Sequence, residues 1–399
     1  MTLSMQECMR WYGPEDSVSL SDIRQAGASG IYTSLHELEY GEVWPQESIR
    51  ARKRLIEDAG LKWVAVESLP LHEEIKTRNG NFKHYINNYK QSLKNLGAEG
   101  IDLVIYNFMP VLDWVRTDLA YRLKDGSECL FFDPVQFAAF EIYMLQRPGS
   151  ENDYTATQLE AAKEFYASMS DKQRAEFCNS IIDIFPGKKM SLKLEDIHEL
   201  LAKYKGTDAN TLKQNHYRFL QEVIPIAEEV GVKMAVHPDD PPFPILGLPR
   251  IVSTADDVRG LLGAVESPSN GICLCTGSFS PRASNDLPAM VREFGSRIHC
   301  THLRSTQRNP DGSFYEASHL GGSIDMFEIV RELLLEMKRR QDDGRKDWQI
   351  PFRPDHGHTI LDDLNKKRPE NPGYSAIGRL KGLAELRGLQ LGIARSFQK

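Results

Sequence analysis

Eight short apolar runs, separated by longer helical stretches, constrain this chain more than any other feature of its sequence. The runs are CMRWYG (8–13), GIYTSLH (30–36), LKWVAVES (61–68), IDLVIYNF (101–108), VKMAVH (232–237), GICLCTG (271–277), RIHCTHLRS (297–305) and WQIPFRPDHGH (348–358). Strands that are apolar without strict alternation belong in parallel sheets covered on both faces. The intervening helices obey one grammar. Ser19 or Ser21 can cap the first, and EDAGLKW, NLGAEGIDL and EEVGVKM each close a helix on glycine (Gly60, Gly97, Gly231) before a strand opens. Eight such units predict an α/β fold, a closed (β/α)8 TIM-type barrel. A doubly wound open sheet is the alternative, but no Gly-x-Gly-x-x-Gly or Walker-type loop follows any run, which also argues against a nucleotide cofactor.

Length is compatible with one unit, because a barrel with insertions can exceed about 400 residues. The 399 residues are therefore read as a single catalytic barrel domain, 1–399. Residues 115–210 break the alternation: they carry helical patterns such as DPVQFAAFEIYMLQ and no convincing strand, and are read as a helical insertion after the fourth strand. It would lie at the barrel end where active sites form, as a lid or a subunit contact.

Charge and cysteine usage narrow the class. Lys plus Arg number 49 against 56 Asp plus Glu, a net charge of −7, which disfavours binding to a phosphate backbone, so no nucleic-acid partner is expected. Six cysteines are too few for a disulfide framework, the first residues lack a signal-peptide layout, and no apolar run approaches the roughly 18 residues of a membrane helix. A cytoplasmic protein without membrane association is expected, assembling as a homo-oligomer, a dimer or higher.

Four successive strand ends carry a group able to bind a metal: His237, Cys275, His302 and Asp355. C-terminal strand ends ring one mouth of a parallel barrel and neighbouring strands lie about 4.8 Å apart, so these side chains can meet at one ion. Alternation puts Ala235 with His237, Cys273 with Cys275, and Cys300 with His302 on common faces; Cys273 then reads as barrel core and His299, pointing the other way, as structural. Thiolate and imidazole lean toward Zn or Fe, and the carboxylate admits Mn. His356, beside Asp355, is assigned to proton transfer, and Tyr374 lies on a loop close enough to reach the same mouth. Other mouth-facing candidates are Arg10, His36, Glu67, Ser68, Asn107, Asp239, Asp240, Arg304, Glu316 and His319. A rim this polar suits a polyhydroxylated anionic substrate, which arginine can hold through a carboxylate; Arg10, His36, Arg304 and His319 are the substrate-binding candidates.

The strings MRWYG, VHPDDPP, CLCTGS, THLRS, RPDHGH and NPGYSAIGR together resemble the mannonate dehydratase family, over nearly the whole chain. The resemblance implies a TIM-type barrel, a Mn(II) or Fe(II) cofactor, and conversion of D-mannonate to 2-dehydro-3-deoxy-D-gluconate with loss of water, a step of hexuronate (glucuronate) catabolism. It places the metal ligands on His237, Cys275, His302 and Asp355 and the acid/base pair on His356 and Tyr374, without saying which is acid and which base. A metal-dependent sugar isomerase or a non-catalytic sugar-acid sensor on the same barrel would share much of this mouth.

Overall fold

The computed structural model describes residues 3–182, 193–366 and 371–397. Eight strands, β1 (Gln6–Arg10), β2 (Gly30–Thr33), β3 (Lys62–Glu67), β4 (Leu103–Tyr106), β7 (Lys233–Val236), β8 (Asn270–Cys275), β9 (Ile298–His302) and β12 (Pro351–Arg353), close into a parallel barrel, with β1 sealed against β12. Four more, β5 (Asp118–Arg122), β6 (Glu128–Phe132), β10 (Thr306–Arg308) and β11 (Phe314–Glu316), form an antiparallel sheet in the order β10-β11-β6-β5.

The expected alternation of faces explains the packing. Cys8, Tyr32, Ala65, Ile105, Ala235, Cys273 and Cys300, drawn from seven barrel strands, fill one buried cluster. This is the side-chain layer that makes such a barrel a packed core rather than a pore. The residues between them in sequence, such as Ile31, Val66, Val104, Val236 and Leu274, instead join the outer core shared with helix residues Ile56, Leu93, Phe219 and Leu333. His299 points outward with them, packed so close to Gly271 that a Cβ there would lie 2.3 Å from its Nε2. No helix among the described residues is long and apolar enough to cross a membrane.

Local signals hold with one adjustment. Ser19 caps Leu20–Gln25 in a reciprocal box with Asp22. The helix Phe82–Ala98 does not stop at Gly97, which lies inside it where a Cβ would meet the Val230 carbonyl at 2.8 Å; the left-handed residue after the cap is Gly100.

The insertion begins differently from its sequence reading. Residues 115–210 do contain strands: β5 and β6 form a hairpin before the helices Pro134–Ala139, Ala156–Ser168, Asp171–Ile182 and Leu194–Lys203. The Lys124-Asp125-Gly126 turn is an ordinary hairpin signal, with Gly126 at φ +86° and the Asp125 side chain accepting from Ser127 N. The flanking strands go unread because their partner is remote. β6 pairs with β11, setting Phe132 opposite Phe314 and Phe131 opposite Tyr315, so half of this sheet comes from the loop after β9.

The loop leaving β12 is pinned by close backbone contact. A Cβ on Gly378, in the first turn of the last helix (Ala376–Ser396), would lie 2.0 Å from the His358 carbonyl oxygen. Neither partner is a movable side-chain end, and overpacking of this kind costs about 1–3 kcal/mol. Gly378→Ala is therefore expected to lower the thermal unfolding midpoint measured by circular dichroism, and to reduce activity by displacing the loop that carries His356. An unchanged midpoint would contradict this packing.

Candidate active site

Strand register brings three of the four ligand candidates together, with Asp355 beside them. Cys275 ends β8 directly opposite His302, the last residue of β9, and His302 in turn stands opposite Arg353 of β12. His237 follows β7 immediately, its N–H bonded to the Tyr106 carbonyl at 2.9 Å. One ligand atom each from His237, Cys275 and His302 lies within 4.8 Å of the others. Asp355 borders this cluster, with Cys275 Sγ 3.6 Å from its Oδ2. Its backbone is held at φ +61°, a conformation that costs about 1–3 kcal/mol and persists only where surrounding contacts enforce it.

Those contacts are buried guanidinium groups. Arg353 grips Glu67 through Nε at 2.9 Å and Nη2 at 2.6 Å while its Nη1 donates to Asp355. Arg304 donates to Asp355, to Asp240 and, at 2.9 Å, to Glu316. Arg116, from the insertion, holds Asp240 at 2.7 and 3.1 Å and Glu316 at 3.0 Å. Burial works against ionised carboxylates here. The surrounding cations outweigh it, keeping Asp355 well below the usual carboxylate range and Glu316 at about 2.

The donor set suits a divalent cation. Nδ1 of His237 lies 2.8 Å from the Pro238 carbonyl, so it serves as donor and leaves Nε2 as the free lone pair. Burial lowers the His237 pKa, favouring the neutral imidazole a metal requires. His302 Nδ1 accepts from Arg353 Nη2 at 3.3 Å, and its buried Nε2, although 3.4 Å from Glu67 Oε2, makes no hydrogen bond. Cys275 is fully buried, with Ser278 Oγ donating to its sulfur at 3.0 Å. A thiol and two imidazoles this close together are donor types that divalent transition metals take.

His237 of the cluster, with Asp355 beside it, lines a cleft shared with Arg10, Glu67, Asn107 and Arg353. His356 and Tyr374 line it, their rings edge to face at 4.9 Å. Tyr374 is buried, which raises its pKa; Asp355 and Glu67 add to the rise, and Arg353 and Arg10 oppose it.

The four substrate-binding candidates separate. Arg10 lines the cleft with Nη1 on Glu67 at 3.1 Å and a buried Nε that has no partner. His36 also lines it, stacked on Tyr12 at 5.4 Å with Nε2 unpartnered. Arg304 reaches the cleft but spends its nitrogens on Asp355, Glu316, Asp240 and Ser278, so it holds protein carboxylates in place of a ligand. His319 does not line the cleft: its Nε2 pairs with the Pro354 carbonyl at 2.7 Å, and its ring fills the space above Gly382.

Sequence reading missed Tyr12, Trp114, Arg116 and Arg353. Arg353 was within reach, since alternation places it on the face of Asp355 two residues on. Arg116 gave no signal, because its partners lie 124 and 200 residues away.

The D-mannonate dehydratase (UxuA) family profile matches residues 5–399. The mannonate dehydratase of Marinomonas sp. (strain MWYL1) is 54% identical over 390 residues, covering 98% of this chain and 99% of its own. That of Saccharophagus degradans is 50% identical over 385 residues, covering 96% and 97%. Among solved structures, mannonate dehydratase from Streptococcus suis serotype 2 superposes with a TM-score of 0.77 at 33% identity, covering 99% of this chain and 95% of its own. Matched from near one end to the other by this profile and by relatives at half identity or more, the chain belongs to the D-mannonate dehydratase family.

Proposed function

We propose that the cleft dehydrates D-mannonate to 2-dehydro-3-deoxy-D-gluconate and water, a step of hexuronate breakdown, with Mn(II) or Fe(II) held by His237, Cys275, His302 and Asp355. The observation that carries this reading is a three-donor cluster that reaches, through His237, a cleft with an imidazole and a phenol on its wall. A divalent cation bound there supplies positive charge beside the substrate carboxylate, where charge builds as the neighbouring C–H bond breaks.

The protein groups divide the remaining work. Arg10, with its unpartnered Nε, and His36 offer hydrogen bonds to the substrate's carboxylate and hydroxyls. His356 bonds Glu316 through Nδ1 at 2.8 and 2.9 Å, which leaves Nε2 facing the cleft as the lone pair that takes the C2 proton. Tyr374, kept protonated by burial, donates to the departing C3 hydroxyl. Trp114 stands edge-on to His356 at 5.6 Å and Tyr12 edge-on to Tyr374 at 5.0 Å, shielding both proton carriers from bulk water.

Charge balance supports an anionic substrate. Arg10, Arg116, Arg304 and Arg353 are matched by Glu67, Asp240, Glu316 and Asp355. A dication with one thiolate adds a single positive charge to this neutral set, matching one carboxylate.

The same reading places the protein in the cytosol as a homo-oligomer. Its cysteines form no disulfide among the described residues. Leu320 and Phe327, 48% and 50% exposed, offer apolar surface to a second copy.

Turnover of D-mannonate is expected with added Mn(II) and to fall to background after EDTA, while far-ultraviolet circular dichroism stays unchanged; equal rates in both conditions would contradict the reading. Substituting Co(II) should give a thiolate-to-metal absorption band that Cys275→Ala abolishes. His356→Asn and Tyr374→Phe are each expected to lower kcat by about 10²–10⁴ with metal content retained. A variant that keeps the wild-type kcat removes that residue from the reaction.

A further inference from the structure

Glu316 enters the reaction described above only as the partner of His356 Nδ1, and its surroundings are unusual for a structural carboxylate. It ends β11, is 3% exposed, and presents both oxygens to one ring nitrogen, with His356 Nδ1 2.8 Å from Oε1 and 2.9 Å from Oε2. Oε1 also receives Arg304 Nη1 at 2.9 Å and Arg116 Nη2 at 3.0 Å. Every group facing it is therefore a donor. An ionised carboxylate only accepts, so the proton of a neutral His356 must sit on Nδ1 and the lone pair on Nε2. That lone pair is on the cleft side, where Asp355 Oδ1 lies 3.9 Å from Nε2.

The rest of the small sheet accounts for how Glu316 is carried there. β10 and β11 form a hairpin that sets Glu316 opposite Thr306, and β6 pairs with β11 at Phe314 and Tyr315, just upstream of it. Arg116, which closes on Glu316 from the far side, comes from the segment just before β5 and is fully buried. Its guanidinium stacks within 5.2 Å of the Trp114 ring and 5.0 Å of the Phe314 ring. The start of the insertion and the loop after β9 thus converge on a single carboxylate and, through it, on one imidazole.

We infer that Glu316 is the positioning residue of His356, fixing its ring orientation and its Nδ1–H tautomer, and that the insertion contributes to the reaction by clamping Glu316 through Arg116. Glu316 touches no substrate; it acts on the reaction through the imidazole. Removing an orienting partner of this kind costs about 10–100-fold in activity. The inference rests on the proposed role of His356, and two kinds of measurement keep the two apart.

The first needs no change at Glu316. In protein labelled with 15N at histidine, the His356 ring is expected to show a protonated Nδ1, as a slowly exchanging downfield proton absent from His356→Asn. A ring protonated only at Nε2 would overturn the inference together with the assignment of His356 as the base, and leave intact the dehydration itself, which turnover of D-mannonate tests separately. The second is kinetic. Glu316→Gln is expected to lower kcat about 10–100-fold with the KM for D-mannonate and the metal bound per chain unchanged, and Glu316→Asp to recover part of the loss. A Glu316→Gln enzyme with wild-type kcat, or one whose defect lies in KM or metal content, would overturn the inference. Should Glu316→Gln not fold, the tautomer measured in the unaltered protein decides. Undiminished turnover in His356→Asn would instead remove the functional reading beneath it.

Discussion

Arg304 is a buried guanidinium with a carboxylate from three different parts of the chain on its nitrogens, and the mouth of the barrel is organised around it. Asp355 comes from the end of β12, Asp240 from the loop after β7, and Glu316 from the hairpin beyond β9. Taking these charges out of water is expensive, and only near-complete pairing offsets the expense. Deleting one member would leave its partners buried and uncompensated, typically a loss of about 3–5 kcal/mol. The network is thus a poor source of net stability and a strong source of specificity. Few arrangements of these loops satisfy all of its donors, and in the one observed Asp355 lies beside the His237, Cys275 and His302 cluster.

That role explains what was legible in the sequence and what was not. The barrel strands announce themselves locally, because a parallel strand buried on both faces must be apolar along its length. The cluster follows from them: once β8 and β9 are recognised, Cys275 and His302 stand at equivalent strand ends, and the register sets them side by side. Alternation also sorted Cys273 into the barrel interior and His299 out of it. These inferences need only sequence neighbours and a fixed geometry.

The unread parts depend on pairing between distant segments. β5 is short and half-buried and β6 short and buried, and their hairpin grows into a four-stranded sheet only through β11, nearly 200 residues later. Arg304 looked like a ligand-binding arginine because its position at the rim was legible while the three carboxylates that occupy it were not. His319 was misplaced for a similar reason. Its loop runs near the mouth, but the ring turns to satisfy the Pro354 carbonyl, a backbone acceptor no sequence pattern reveals.

A division of labour follows between backbone and insertion. The strand ends supply a rigid ring on which ligand atoms are set by register, with little freedom to err. The imidazole of His356 sits just past that ring, after a residue in a left-handed conformation, where register no longer governs orientation. Rotation about its side-chain bonds would carry Nε2 away from the cleft at small energetic expense unless something opposed it. The opposing group cannot come from a barrel strand, all of which end below it. It comes from an added sheet whose two halves are far apart in sequence, and Arg116 and Arg304 keep its carboxylate charged and in place. An insertion that at first suggests a lid therefore begins as scaffolding for one side chain. Trp114, two residues before Arg116, gives the same segment a second task as a wall of the cleft.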